Sequence, residues 1–121
     1  MMDFHDIQVW QKAYDLTLKI YKSTESFPKH ETYGLTGQLR RAAMSIPCNI
    51  AEGCVKNSDA DFALFLDIAI GSASEVECQL LLAHDLKYLE KPKYQELNNT
   101  IVEIKRMLTS FIKTLRKTNC R

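Results

Sequence analysis

The chain is poor in residues that interrupt regular structure. Its 121 residues include four glycines and three prolines, and no stretch shows the sustained alternation of a strand. No apolar run approaches the ~20 residues that a membrane-crossing helix needs, so no membrane partner is expected. The opening MMDFHDIQVW is acidic and lacks the apolar centre of a secretory signal. Cys48, Cys54, Cys78 and Cys120 form no CxxC pair. Reduced thiols in a cytoplasm are expected rather than a disulfide framework.

Reaction centres are equally scarce. His5, His30 and His84 each lack a Glu three residues earlier, so the Glu-x-x-His pairs of di-metal bundles are missing, as is the paired spacing of a zinc helix. No GxSxG elbow, P-loop or dinucleotide fingerprint occurs. Cys48 and Cys78 fall in helical patterns, where a small buried thiol is the ordinary reading. The expectation is a non-enzymatic protein without metal or cofactor.

What is present is helical periodicity. With 45% hydrophobic and 26% charged residues, the composition suits one domain, residues 1–121, around one core. Four helices are expected, at about 4–26, 31–56, 59–89 and 93–117. The first carries two apolar stripes: Phe4, Ile7, Trp10, Tyr14, Leu18 and Tyr21, then Val9, Ala13, Leu16 and Ile20. An edge helix of a lone bundle needs one stripe. The second implies either a wider buried arc or a subunit contact through Trp10, Tyr14 and Tyr21, residue types favoured at interfaces.

The second helix has the core stripe Leu35, Leu39, Ala42, Ile46 and Ile50. Asn57-Ser58-Asp59 supplies the break and N-cap of the third, whose inward positions are Phe62, Phe65 or Leu66, Ala69, Ala73, Val76, Leu80 and Ala83. Gly71, Ser72 and Ala73 leave room for a neighbouring helix. Lys91-Pro92-Lys93 is the last turn. Leu97, Ile101, Ile104, Leu108, Phe111 and Leu115 then alternate spacings of four and three. Short connections force neighbours to run antiparallel, so the fold is an all-α, up-down-up-down four-helix bundle.

Pro47 sits inside the second helix and has no N–H for the carbonyl of Ala43, at a usual cost of about 3 kcal/mol. Gln38, Arg41, Ser45, Asn49 and Glu52 recur beside the core stripe. In one reading this polar stripe is structural, with Ser45 and Asn49 satisfying backbone around the kink and Glu52 paired to Arg40, Arg41 or a neighbouring subunit. In the other it lines a cleft or pore and touches a ligand.

Charge is unevenly spread. Residues 59–104 carry three Lys/Arg against nine Asp/Glu, whereas residues 105–121 carry six against none, within a net charge of +1. At about 100° per residue, Lys105, Arg106, Lys113, Arg116 and Lys117 fall on one arc opposite the apolar stripe. That arc could neutralise phosphates of RNA or DNA. It could equally reflect the preference of cations for a helix C-terminus or the charge an exposed face needs. It carries no aromatic for base stacking, so sequence-specific reading is not expected. The competing expectation is a homo-oligomeric ring in which the acids of helix three (Asp59, Asp61, Asp67, Glu75, Glu77, Asp85) face the basic helix four of a neighbour.

The segments VWQKAYDL with Ile20-Tyr21, FPKHETYGLTGQLRRAAMSIPCNIAEG and FLDIAIGSASEVECQL, spanning Val9 to Leu80, resemble the bacterial four-helix bundle family also called the 23S rRNA intervening-sequence proteins. The resemblance implies a small bundle with no enzymatic activity. It also implies likeness to the accessory variability protein of diversity-generating retroelements, a homopentamer that binds nucleic acid and associates with a reverse transcriptase. A pentamer and a partner protein thus enter as implications of the resemblance alone. Two features depart from that pattern. The family's NIAEG is usually followed by Gly and Arg, where Cys54, Val55 and Lys56 stand here, and the retroelement branch is strongly basic.

Overall fold

The computed structural model describes residues 2–119; Met1, Cys120 and Arg121, counted above, lie outside the described residues. Four helices form the body: α1 (Gln8–Ser23), α2 (Leu35–Cys54), α3 (Asp59–Asp85) and α4 (Lys91–Asn119). Each packs on its sequence neighbour and α1 closes against α4, leaving α1 and α3 on a diagonal. The ion pairs report direction. Lys12 meets Glu103 and Lys19 meets Glu96, while Glu77 meets Lys105 and Asp67 meets Arg116. In both sets one residue number rises as the other falls, so α4 runs antiparallel to α1 and α3. The fold is an up-down-up-down four-helix bundle.

The core follows the expected stripes. Val9, Ala13, Leu16 and Ile20 of α1 pack with Leu39, Ile46 and Ile50 of α2, Leu66, Val76 and Leu80 of α3, and Leu97, Ile101, Ile104 and Leu108 of α4. Of the either-or pair on α3, Leu66 is buried and Phe65 half-buried under the Lys56 ammonium, 4.6 Å from its ring centroid. Gly53 lets α3 come close to α2: a Cβ there would stand 2.6 Å from the Phe62 ring.

The ends differ from expectation for local reasons. Phe4–Asp6 is a separate 3-10 turn, capped by the Asp3 carboxylate accepting from the His5 N–H, so α1 begins only at Gln8. Residues 24–34 form two short 3-10 turns around Pro28 and the approach to α2. Ser58 caps α3 by accepting from the Asp61 N–H. That helix stops at Asp85 because Lys87 takes φ 67°, and the Tyr88 N–H turns back to the Ala83 carbonyl at 2.8 Å, a left-handed C-terminal cap. Pro92 lies in the first turn of α4, where its missing N–H removes no helical bond.

Pro47 is accommodated by another helix. The Ala43 carbonyl that it leaves unpaired accepts from the Thr17 hydroxyl of α1 at 3.1 Å, and the same hydroxyl lies 2.8 Å from the Ala13 carbonyl. Thr17 is buried, so water could not perform this task. Ser45 and Asn49 act one turn away: the Asn49 amide donates to the Ser45 carbonyl and hydroxyl, and that hydroxyl shares a 2.8 Å hydrogen bond with Ser72 of α3.

Other expectations are corrected. Glu52 is exposed, and no ion pair holds it among the described residues. Arg40 instead reaches Thr24 and the Tyr21 carbonyl and lies over the Tyr21 ring. Cys48 and Cys78 are exposed, not buried; Cys54 is the buried thiol, and burial pushes its pKa up. Cys48 stands two residues from both Ile46 and Ile50, about 200° around the helix from each, and so faces away from the core.

Candidate nucleic-acid interface and its neighbouring faces

The charges of α4 are sorted by flank. On the α1 side its carboxylates meet lysines, Lys12 to Glu103 at 3.1 Å and Lys19 to Glu96 at 3.4 Å. Lys93 adds to Glu96 at 3.3 Å, and the ammonium groups of Lys93 and then Lys19 hold that carboxyl below its ordinary range. On the α3 side the signs reverse: Lys105 meets Glu77 at 2.9 Å, and Arg116 meets Asp67. Exposed pairs of this kind are each worth about 0–1 kcal/mol, but together they fix which surface of α4 faces outward. Two of the acids of the third helix, Asp67 and Glu77, thus have cations within their own chain.

Of the five candidate phosphate ligands, the structure therefore ties Lys105 and Arg116 to α3. Arg106, Lys113 and Lys117 are exposed and make no ion pair among the described residues. At 100° per residue these three fall within about 40° of one another, along ~16 Å of helix. Beside them, between α3 and α4, lies an open hollow of about 520 Å³ lined by Glu77, Val102, Lys105, Arg106, Thr109 and Ser110. Its cations and hydroxyls are donors that phosphate oxygens accept from, while the Glu77 carboxylate at its edge is neutralised by Lys105. No aromatic ring joins it.

The polar stripe of α2 is split. Gln38, Arg41 and Glu52 are exposed, and Ser45 and Asn49 are half-buried. Gln38, Arg41 and Ser45 line a shallow cleft of about 350 Å³ with Ser72 and Glu75 of α3. Glu75 is drawn toward it by the buried Gln79, whose amide donates at 3.3 Å. Ser45 and Asn49 spend their hydrogen bonds on one another, on backbone and on Ser72, which is the structural reading of the stripe.

The two apolar stripes of α1 part company. The Val9–Ile20 stripe is core, whereas Tyr14, Leu18 and Tyr21 remain exposed and Trp10 is partly buried. Trp10 stacks on Tyr14 with ring centroids 5.0 Å apart. Together with Met44, Pro47 and Cys48 of α2 they wall a groove of about 480 Å³ whose surface is almost entirely carbon. The wider-arc reading thus fails at Tyr14, Leu18 and Tyr21. Sequence reasoning missed a second apolar face: Leu64, Ile68 and Leu82 project outward from α3. Its signal was available, since these residues repeat at helical spacing on positions that the core stripe does not use.

Among the described residues, fold and surfaces together define an antiparallel bundle with a cationic outer ridge on α4 and exposed apolar faces on α1 and α3. A family model for 23S rRNA-intervening sequence proteins matches residues 5–110, and the chain belongs to that family. It is also similar to a crystal structure from Bacteroides thetaiotaomicron, described as a protein of unknown function from the S23 ribosomal protein family. Identity is 31% and the TM-score 0.78, covering 87% of this chain and 98% of that one. No curated protein matches. Lys105 and Arg106 fall inside the family segment, and Lys113, Arg116 and Lys117 beyond it. Among the described residues no helix is long and apolar enough to cross a membrane.

Proposed function

We propose that this protein is a non-enzymatic, self-associating bundle that binds RNA or DNA without reading sequence, through the outer ridge of α4. The observation that carries this reading is the sorting of α4: its flanking charges are matched inside the chain, and Arg106, Lys113 and Lys117 are left together facing solvent. Three phosphate contacts alone bind weakly. For a single strand they give a salt slope of only about −2 in log K against log salt. Repetition of the ridge around an assembly raises the number of phosphates held at once, so self-association and binding belong to one mechanism. The pentamer implied by family resemblance is one way to repeat it.

The test is retention of a labelled single-stranded RNA at low salt by the native protein and by the Arg106→Ala, Lys113→Ala, Lys117→Ala triple variant. Loss in the variant, with circular dichroism unchanged, supports the reading; equal retention overturns it. A second reading, a protein-interaction module with no nucleic-acid ligand, is favoured by the apolar groove between α1 and α2. It predicts no RNA retention by either protein.

A further inference from the structure

The polar stripe of α2 takes no part in the α4 ridge, yet half of it faces a cleft whose charges are left unanswered. We propose that this cleft, between α2 and α3, binds a small free α-amino acid, with Arg41 holding the carboxylate and Glu75 the ammonium. Neither nucleic-acid binding nor self-association is needed for it.

The two walls carry opposite charges. Gln38, Arg41 and Ser45 come from α2, Ser72 and Glu75 from α3, and the buried Ala42 lies at the base of a hollow of about 350 Å³. Arg41 and Glu75 are exposed, and neither enters an ion pair among the described residues. A lone phosphate would be repelled by Glu75 and a lone amine by Arg41. A molecule that carries both signs side by side is complementary to both walls at once.

Both charged side chains are held in place. Gly37 leaves room for the Arg41 guanidinium to lie back along α2, since a Cβ there would stand 3.3 Å from Nη1. No N–H of that guanidinium finds an acceptor among the described residues, so its planar fork is free to take a carboxylate through two hydrogen bonds. Glu75 is fixed from behind by Gln79, which is only 9% exposed and whose amide donates to Oε2 at 3.3 Å. The other end of that amide, Oε1 of Gln79, is buried without a donor. The fold therefore leaves one acceptor unsatisfied while keeping the amide on Glu75, and Oε1 of Glu75 stays open to a ligand ammonium.

The two serines add a donor. Ser45 and Ser72 share a 2.8 Å hydrogen bond, and the Asn49 amide donates to the Ser45 hydroxyl at 2.9 Å. Two hydroxyl hydrogens meet across one oxygen–oxygen contact. Whichever serine donates, the other keeps a hydrogen without an acceptor, and this spare donor sits in the same hollow as both charges. Apart from Ala42 the lining is polar. It suits the small side chains of glycine, alanine or serine and offers nothing to a large apolar one.

The experiment is equilibrium dialysis of radiolabelled glycine, L-alanine and L-serine against the full chain, the Arg41→Gln variant and the Glu75→Gln variant. Both positions are exposed, and circular dichroism checks that the variants fold. The native protein should retain at least one of the three saturably, at one molecule per chain. Each variant should bind it at least about tenfold more weakly, the value of one charge-assisted hydrogen bond. Glycinamide, which lacks the carboxylate, and N-acetylglycine, which lacks the ammonium, should not compete. No saturable retention by the native protein, or retention unchanged in either variant, would overturn the site. Competition by glycinamide or N-acetylglycine as strong as that by glycine would overturn recognition through two charges, and this arm needs no variant.

Discussion

The single hydroxyl hydrogen of Thr17 on α1 is shared between the Ala13 carbonyl at 2.8 Å and the carbonyl of Ala43 on α2 at 3.1 Å, the acceptor that Pro47 deprives of its helical partner. A sequence break in one helix is thereby repaired by a side chain 30 positions earlier. Replacing Thr17 by Val keeps the shape but strands a buried acceptor, which costs about 1–3 kcal/mol. In Pro47→Ala the backbone N–H returns, and the same Thr17→Val change should then cost less by about 1 kcal/mol or more. A double-mutant cycle by urea denaturation at fixed protein concentration measures that coupling; additivity would separate the two residues.

Lys87 closes α3 at φ 67°, a conformation that strains a side chain and that glycine adopts freely. Lys87→Gly should raise stability by about 1 kcal/mol, read as a higher midpoint in thermal or urea unfolding. A neutral or lower midpoint would show that the lysine side chain compensates the strain.

Two glycines should respond in opposite ways to the same methyl group. Gly53→Ala forces a contact at 2.6 Å with the Phe62 ring and should destabilise the fold by about 1–3 kcal/mol. Gly71→Ala meets nothing in its own chain. It should stabilise the fold by about 1 kcal/mol, read as a higher urea midpoint.

Glu31 joins distant parts of the chain. Its carboxylate accepts from the Leu35 N–H at 3.0 Å and from the Tyr88 hydroxyl at 3.0 Å. The Leu35 N–H first, and then Tyr88, lower its pKa below the ordinary 4.5, and the same contact raises that of Tyr88 above 10.0. The signs give a window. A lowered carboxyl stabilises the fold above its unfolded pKa, and this is lost as pH falls through the folded value. A raised phenol stabilises below its unfolded pKa, and this is lost as pH rises through the folded value. Stability should therefore fall at both ends, below about pH 4.5 and above about pH 10. In Tyr88→Phe the alkaline limb should weaken, as followed by urea midpoints across pH.

Core positions were legible in the sequence because burial imposes a period. Leu35, Leu39, Ala42, Ile46 and Ile50, and the α4 series from Leu97 to Leu108, are read directly from spacings of three and four. Properties set by a neighbouring helix were not legible. Nothing near Pro47 names Thr17 as its rescuer, and nothing near Lys105 or Arg116 announces that Glu77 and Asp67 will neutralise them. The basic arc was visible as five residues, and only packing divides it into two tethered and three free. The end of α3 was misplaced because Lys87 occupies a turn position that glycine usually marks. The outward ridge of α3 was written in the sequence but hidden by its own core stripe, since an all-round apolar helix gives no preferred face.

Salt dependence of RNA binding tests the account most directly, because it counts phosphates held at once. Fluorescence anisotropy of a labelled single-stranded RNA, titrated from low to physiological salt, should give a slope near −2 to Leu18→Glu, a variant that sets a charge in the exposed α1–α2 groove and is expected to run as a single chain. The native protein should be steeper by a multiple of that value. Equal slopes, or no binding by the native protein at low salt, would contradict a repeated α4 ridge as the working surface.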